Sequence, residues 1–177
     1  MIARLISAEG KEYTLPPLHS CVLKLTPNVP CSAFRLSCPY EKELLPKLEG
    51  AAYCRIFHEG ATVFYGIVDD FEIRQGASGR SVTISGRGLA ALLIDNQAEA
   101  AEFVLATLSD VLQRYVLPYG IRNIVSGQLL PVSNLVIPGG SSLWEALCAF
   151  TQASRGITPR FSKDGMLIII NDGGALR

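Results

Sequence analysis

The stretch VTISGRGLAALLIDNQAE, residues 82–99, joins a strand-like run to an apolar helix-like run through Gly86-Arg87-Gly88. A strand, a Gly-x-Gly and a helix can cradle phosphate, because glycine lets backbone amides approach an anion at a helix N-terminus. A dinucleotide site wants a third glycine, and position 91 is Ala. A P-loop wants Lys-Ser/Thr after its last glycine, and Leu89-Ala90 follow here. The reading that fits is structural. Gly86 and Gly88 are expected to turn the backbone sharply out of a strand. Leu89, Leu92, Leu93 and Ile94 form an apolar plug, ended by Asp95 and Asn96.

Other reactive side chains are scattered. Asp69 and Asp70 are neighbours in a strand-like run, so they point to opposite faces rather than pairing as acid and base. Ser85, Ser141 and Ser142 lack a Gly-x-Ser-x-Gly elbow. His58 falls at a hairpin tip, and Trp144 on the core side of a helix. The five cysteines, Cys21, Cys31, Cys38, Cys54 and Cys148, include no pair close enough to present two zinc ligands from one turn. Free, buried thiols in a reduced compartment are expected. No catalytic residue, cofactor or metal site is expected, and the chain reads as a non-enzyme.

A chain of 177 residues, 49% hydrophobic and 18% charged, can bury a core of one large or two small domains. Sixteen basic and sixteen acidic residues leave no net charge, which speaks against nucleic acid as a partner and for association. The apolar runs are far shorter than a bilayer span, and the N-terminus does not read as a secretory signal.

The first part alternates with period two. IARLIS, YTL, SCVLKLT, SAFRLSC, then AYCRIFH, a long ATVFYGIVDDFEIRQ and RSVTIS read as strands. Turns fall at Glu9-Gly10-Lys11, at His58-Glu59-Gly60-Ala61 and at Gly76-Ala77-Ser78-Gly79. Phe34, Tyr53, Phe57, Phe64 and Phe71 are expected in the core. YEKELLPKLEG is a short helical interruption. Consecutive hairpins predict a small antiparallel β-barrel over residues 1–97, with the Leu89–Leu93 plug closing one end.

Residues 98–177 predict a small α/β domain of two helices and a hairpin. Thr107 and Asp110 cap the first helix, and Pro118 with Gly120 stops it. Ser142 and Glu145 form a capping box on the second, which Gly156 ends. The final hairpin turns at Asp164-Gly165, and residues 121–140 read as a loop. The fold class is therefore α+β.

Two segments carry a resemblance. The first holds Phe64, Gly66, Val68 and Asp69, then the run from Ser85 to Leu93, Asp95 and Asn96. The second holds Gly140, Ser142, Trp144, Glu145, Leu147, Asp164, Gly165 and Leu167. In order and spacing they resemble the baseplate or tail hub proteins of tailed phages and contractile particles, the late control protein D-like group. The resemblance implies tail-tube-like barrels and a homotrimeric ring in the virion baseplate. Such a ring adapts the tail tube to a spike or fibre. Its partners would be copies of itself, the tube protein and the spike or fibre, with no nucleic acid, membrane or catalysis. It also implies synthesis in the host cytoplasm and a second barrel beyond the end of this chain.

Two other classes compete. A split-barrel enzyme would bind flavin or nucleotide at residues 86–88 and purify with it. A cell-wall-binding module of a tail particle would expose aromatic platforms.

Overall fold

A computed structural model describes residues 1–25, 31–77 and 79–170. Thr26 of the third expected strand, the turn residue Ser78 and the tail 171–177 lie outside the described residues. The fold is α+β and mostly strand. It divides into two compact units, Met1–Leu89 with Lys163–Gly165, and Ala90–Ser162 with the residues from Met166 on.

The first unit is one seven-stranded sheet. Its strands are β1 (Ile2–Ser7), β2 (Glu12–Thr14), β3 (Ser20–Lys24), β4 (Ala33–Pro39), β5 (Ala51–His58), β6 (Ala61–Gly76) and β7 (Gly79–Gly88). They lie in the order β2-β1-β5-β6-β7-β4-β3, all antiparallel. Glu59 and Gly60, with φ of 50° and 81°, make the tight turn from β5 to β6 that the sequence predicts. Gly10, at φ 83°, turns β1 into β2.

The expected barrel is not closed: β2 and β3 end the sheet and do not pair with each other. They are nevertheless neighbours in the chain, separated only by residues 15–19. Six steps of extended chain reach about 21 Å. Seven flat strands would hold their outer members about 29 Å apart. The sheet must curl. Two of the linking residues, Pro16 and Pro17, lack the N–H that a closing ladder needs. The result is a curled sheet with an open seam.

Its concave face holds the core: Ala3, Leu5, Leu15, Phe34, Leu36, Cys38, Cys54, Ile56, Phe64, Val82 and Ile84. A 3-10 turn at Lys42–Leu44 runs into α1 (Leu45–Glu49), and Leu44 and Leu48 add to the same core. Alternation along the strands selects these residues, since every second side chain faces inward.

The second unit contains α2 (Ala91–Ile94), β8 (Ala101–Ala106), α3 (Leu108–Tyr115), β9 (Ile124–Ser126), β10 (Val132–Ile137), α4 (Leu143–Arg155), β11 (Arg160–Phe161) and β12 (Leu167–Ile169). Residues 121–140, expected as a loop, contain two strands. β10 pairs with β8, and β9 runs parallel to β12, which pairs with β11. Helices α3 and α4 pack over them through Val111, Tyr115, Leu143, Leu147 and Phe150. Both expected capping boxes are present, Thr107 with Asp110 and Ser142 with Glu145. Gly156 ends α4 in the left-handed region.

Leu93 belongs to this second core, with Ala98, Leu143 and Leu147, rather than to a plug at the end of a barrel. That is why the unit boundary falls at Leu89 and not at residue 97. No helix among the described residues is long and apolar enough to cross a membrane.

Candidate functional site

Gly86 and Gly88 are not in a turn. Both lie inside β7, Gly86 paired with Phe34 and Val68, and Gly88 with Gly66. Neither has a positive φ. The Gly88 N–H donates to Ser32 O at 2.8 Å. These residues form no phosphate-cradling loop.

What glycine supplies here is room. A Cβ at Gly86 would meet Ile67 O and stand 2.9 Å from Phe34 Cζ. A Cβ at Gly66 would meet Arg87 O and stand 2.8 Å from Phe64 Cε1. The Phe34 and Phe64 rings themselves lie 5.1 Å apart and tilted, filling the space that the two glycines leave. The motif residues Phe64, Gly66 and Gly86 thus act together as core.

Asp69 is the extra residue of a β-bulge between Val68 and Asp70. The bulge breaks the expected strict alternation. It lets Asp69 accept two hydrogen bonds from Arg87, Nε at 2.8 Å and Nη2 at 3.0 Å. Asp69 also lines a groove of about 480 Å³ with Val22, Lys24, Arg35 and Ser85. Register places Val22, Arg35 and Ser85 in one row on the outer face of the sheet.

Leu89 is buried, Leu92 half-buried, and Asn96 Nδ2 donates to Leu92 O at 2.8 Å, closing α2 after Asp95. Trp144 is buried and stacks on Phe161 at 6.1 Å. The Glu145 carboxyl is held below its ordinary range by the Ser142 N–H and hydroxyl. Gly165, at φ 86°, sits against Leu89 and the Tyr65 ring in the first unit, where a Cβ would come 2.9 Å from Leu89 Cδ1. Asp164 is its neighbour in the hairpin tip. The motif residues are therefore scaffold. They do not converge on one cleft.

Tyr53 and Phe57, expected in the core, face outward. Tyr53 stacks on Tyr65 at 5.8 Å, the Arg55 guanidinium lies 4.7 Å from the Tyr65 ring centre, and Arg4 lies 5.1 Å from that of Phe57. Glu12 accepts from Arg4 at 2.9 Å. These rings are covered by arginines rather than bare. Phe71 does pack against the core.

Cys21, Cys38, Cys54 and Cys148 are free thiols, and the Cys31 thiol donates to Ser32 O and Gly88 O at 3.6 Å. Burial pushes Cys38 and Cys148 up to about 11, and Cys54 to about 12, where they are poor nucleophiles and poor metal ligands. Among the described residues no group of three acidic, His or Cys side chains could hold a metal.

What the sequence reading missed is surface. Beyond Ile67, which pairs with Tyr53, the outer edge of β6 has no ladder partner among the described residues, and neither does that of β3. In the second unit both edges of the β8–β10 pair are unpaired among the described residues. Its outer face carries Val104 and Val136, 84% and 58% exposed. Apolar residues at alternating strand positions without a covering element signal a partner. Residues 101–106, with Phe103, Val104 and Leu105 in a row, carried that signal.

No family model matches the chain, and no curated protein sequence matches it. Solved structures do. A tail protein from Neisseria meningitidis MC58 superposes with a TM-score of 0.72 and 22% identity over 94% of this chain and 49% of that one. The 43 kDa tail protein of prophage MuSo2 from Shewanella oneidensis gives 0.68 and 22% over 95% and 52%. The prophage tail protein gp18 from Listeria monocytogenes EGD-e gives 0.54 and 14% over 94% and 49%. The chain spans about half the length of the tail proteins it matches, and across nearly all of its own length it has their fold.

Proposed function

We propose that this chain is a structural component of a phage or prophage tail, built into the hub of the baseplate. There it works as part of a ring, trimeric in the whole protein, that adapts the tail tube above to a spike or fibre below. The observation that carries the reading is a fold shared over 94% of the chain with a solved tail protein at a TM-score of 0.72. The ordered motifs from Phe64 to Asn96 and from Gly140 to Leu167 support the hub in particular. The unpaired edges of β3 and β6 and the exposed Val104 and Val136 suit a subunit that is covered on several sides by neighbours. The motif side chains serve packing and capping, which agrees with a role in assembly rather than turnover.

The test is to tag the protein in its own genome, induce particle production and image purified tails with a tag-specific gold label. Label at one end of the tail supports a hub. Label along the tube, or none on intact tails, rejects it.

A further inference from the structure

Two free edges of the first unit's sheet, that of β3 and that of β6 beyond Ile67, are complementary. On β3, Lys24 faces outward, while Leu23, packed against the core, and the exposed Leu25 flank it. Along the unpaired half of β6, Glu72 faces outward, because it pairs with Thr83 and, through it, with the row of Ser37. Phe71 and Ile73 flank Glu72 and face inward, paired with the core residues Ile84 and Val82. An antiparallel register that sets Lys24 opposite Glu72 also sets Leu23 opposite Ile73 and Leu25 opposite Phe71. Lys24 makes no ion pair among the described residues, Glu72 accepts from Arg74 at 2.7 Å through Oε2 while its side chain stays more than half exposed, and Ile73 and Leu25 are exposed. One alignment thus supplies a carboxylate to the lysine and apolar neighbours to both leucines.

Strand direction agrees. From β6 through β7 and β4 to β3 every pairing is antiparallel, so β3 runs opposite to β6. Joining β3 of one copy antiparallel to β6 of the next leaves all copies pointing the same way. Such a contact is head-to-tail, the kind that closes into a ring. Two copies facing each other through identical edges would instead point opposite ways.

We propose that the partner of the β3 edge is a second copy of this chain, bound through residues 70–76 of β6, so that the sheet continues from copy to copy with Lys24 paired to Glu72. This names the self-contact of the proposed ring and rests on that reading for its biological setting. Its physical basis is the two edges alone.

The test is a charge exchange read by sedimentation velocity over a concentration series. The wild-type chain should self-associate. Lys24→Glu and Glu72→Lys singly should weaken self-association at least tenfold, and the double variant K24E/E72K should recover to within a few-fold of wild type. Circular dichroism melts check that each variant is folded, and the double variant keeps the test decisive if one single variant is not. A monomeric wild type, or self-association indifferent to both charges, overturns the edge pairing. The tail reading would survive that result, because it is decided separately by the gold label on particles.

Discussion

Asp69 and Arg87 face each other across the β6–β7 hairpin, joined by two hydrogen bonds of 2.8 and 3.0 Å at the point where β6 bulges. The bulge frees Asp69 from the ladder, and the guanidinium fork fixes where it goes. The side chains are 39% exposed for Arg87 and 31% for Asp69, so solvent screens the pair. A double-mutant cycle with Asp69→Asn and Arg87→Gln should give a coupling of about 1 kcal/mol or less that shrinks as salt is added. Urea unfolding at two ionic strengths measures it.

Gly66 and Gly86 of the β6–β7 ladder should tolerate nothing larger. Gly86→Ala forces the Phe34 ring or the Ile67 carbonyl to move, and Gly66→Ala forces Phe64 and Arg87 to move. Overpacking of this kind costs about 1–3 kcal/mol and sometimes more. Gly76→Ala, where the nearest atom to a new Cβ is 3.7 Å away, is the matched control and should unfold like wild type. Urea midpoints of the three variants are the measurement.

Acid should loosen the two helix caps of the second unit. The Asp110 carboxyl is held down by the Thr107 hydroxyl and N–H, and that of Glu145 by the Ser142 N–H and hydroxyl. A depressed folded-state value means the caps stabilise at neutral pH, and the contribution is lost as pH falls through and below the ordinary carboxylate range. Ser142→Ala should cost about 1 kcal/mol at pH 7 and flatten the acid limb of the stability curve. Thermal melts from pH 7 to pH 3 on both proteins follow it.

Alkali should act through the thiols. Cys38, Cys54 and Cys148 are raised by burial, Cys54 further by nearby Cys21. Below the ordinary thiol value they favour the fold. Above it the unfolded chain ionises first, so stability declines as the pH rises toward 11 to 12. At pH 8 iodoacetamide should leave these three unlabelled in native protein and label them within minutes in urea. Mass spectrometry of the peptides reads the outcome.

Val104 should be replaceable without harm to the isolated chain. At 84% exposure, Val104→Lys should change stability by less than about 0.5 kcal/mol and raise solubility. On the proposed tail function, the same change made in the protein's own genome should reduce assembled tails, because it places a charge where the proposed particle covers the β8–β10 face. Tail counts by electron microscopy, beside melts of the purified variant, separate the two effects.

Much of this could be read from residues that act locally. Gly60 announced its hairpin because glycine accepts the positive φ that a tight turn demands, and Glu59 joins it in that region. Thr107 with Asp110 and Ser142 with Glu145 announced two helix starts because a cap needs only its own turn. What depends on distant residues was not legible. Gly86-Arg87-Gly88 looked like a turn because the Phe34 ring that requires Gly86 is fifty-two positions away. β9 is three residues whose partner, β12, is more than forty positions on, and runs parallel. The open seam depends on strand order, which alternation does not encode. The unpaired edges followed from the same ordering, and with them the candidate surfaces.

The strand order also sets a timetable. β5, β6 and β7 follow one another in chain and in space, so they can zip as each emerges from the ribosome. β1 must wait for β5 and β4 for β7, both made later. Until then the first forty residues are two separate hairpins, β1 with β2 and β3 with β4, each too small to persist alone in water. The strands of the first forty residues thus wait for partners that lie later in the chain. During that wait β3 and β4 lie open to any passing strand edge, from this copy or another.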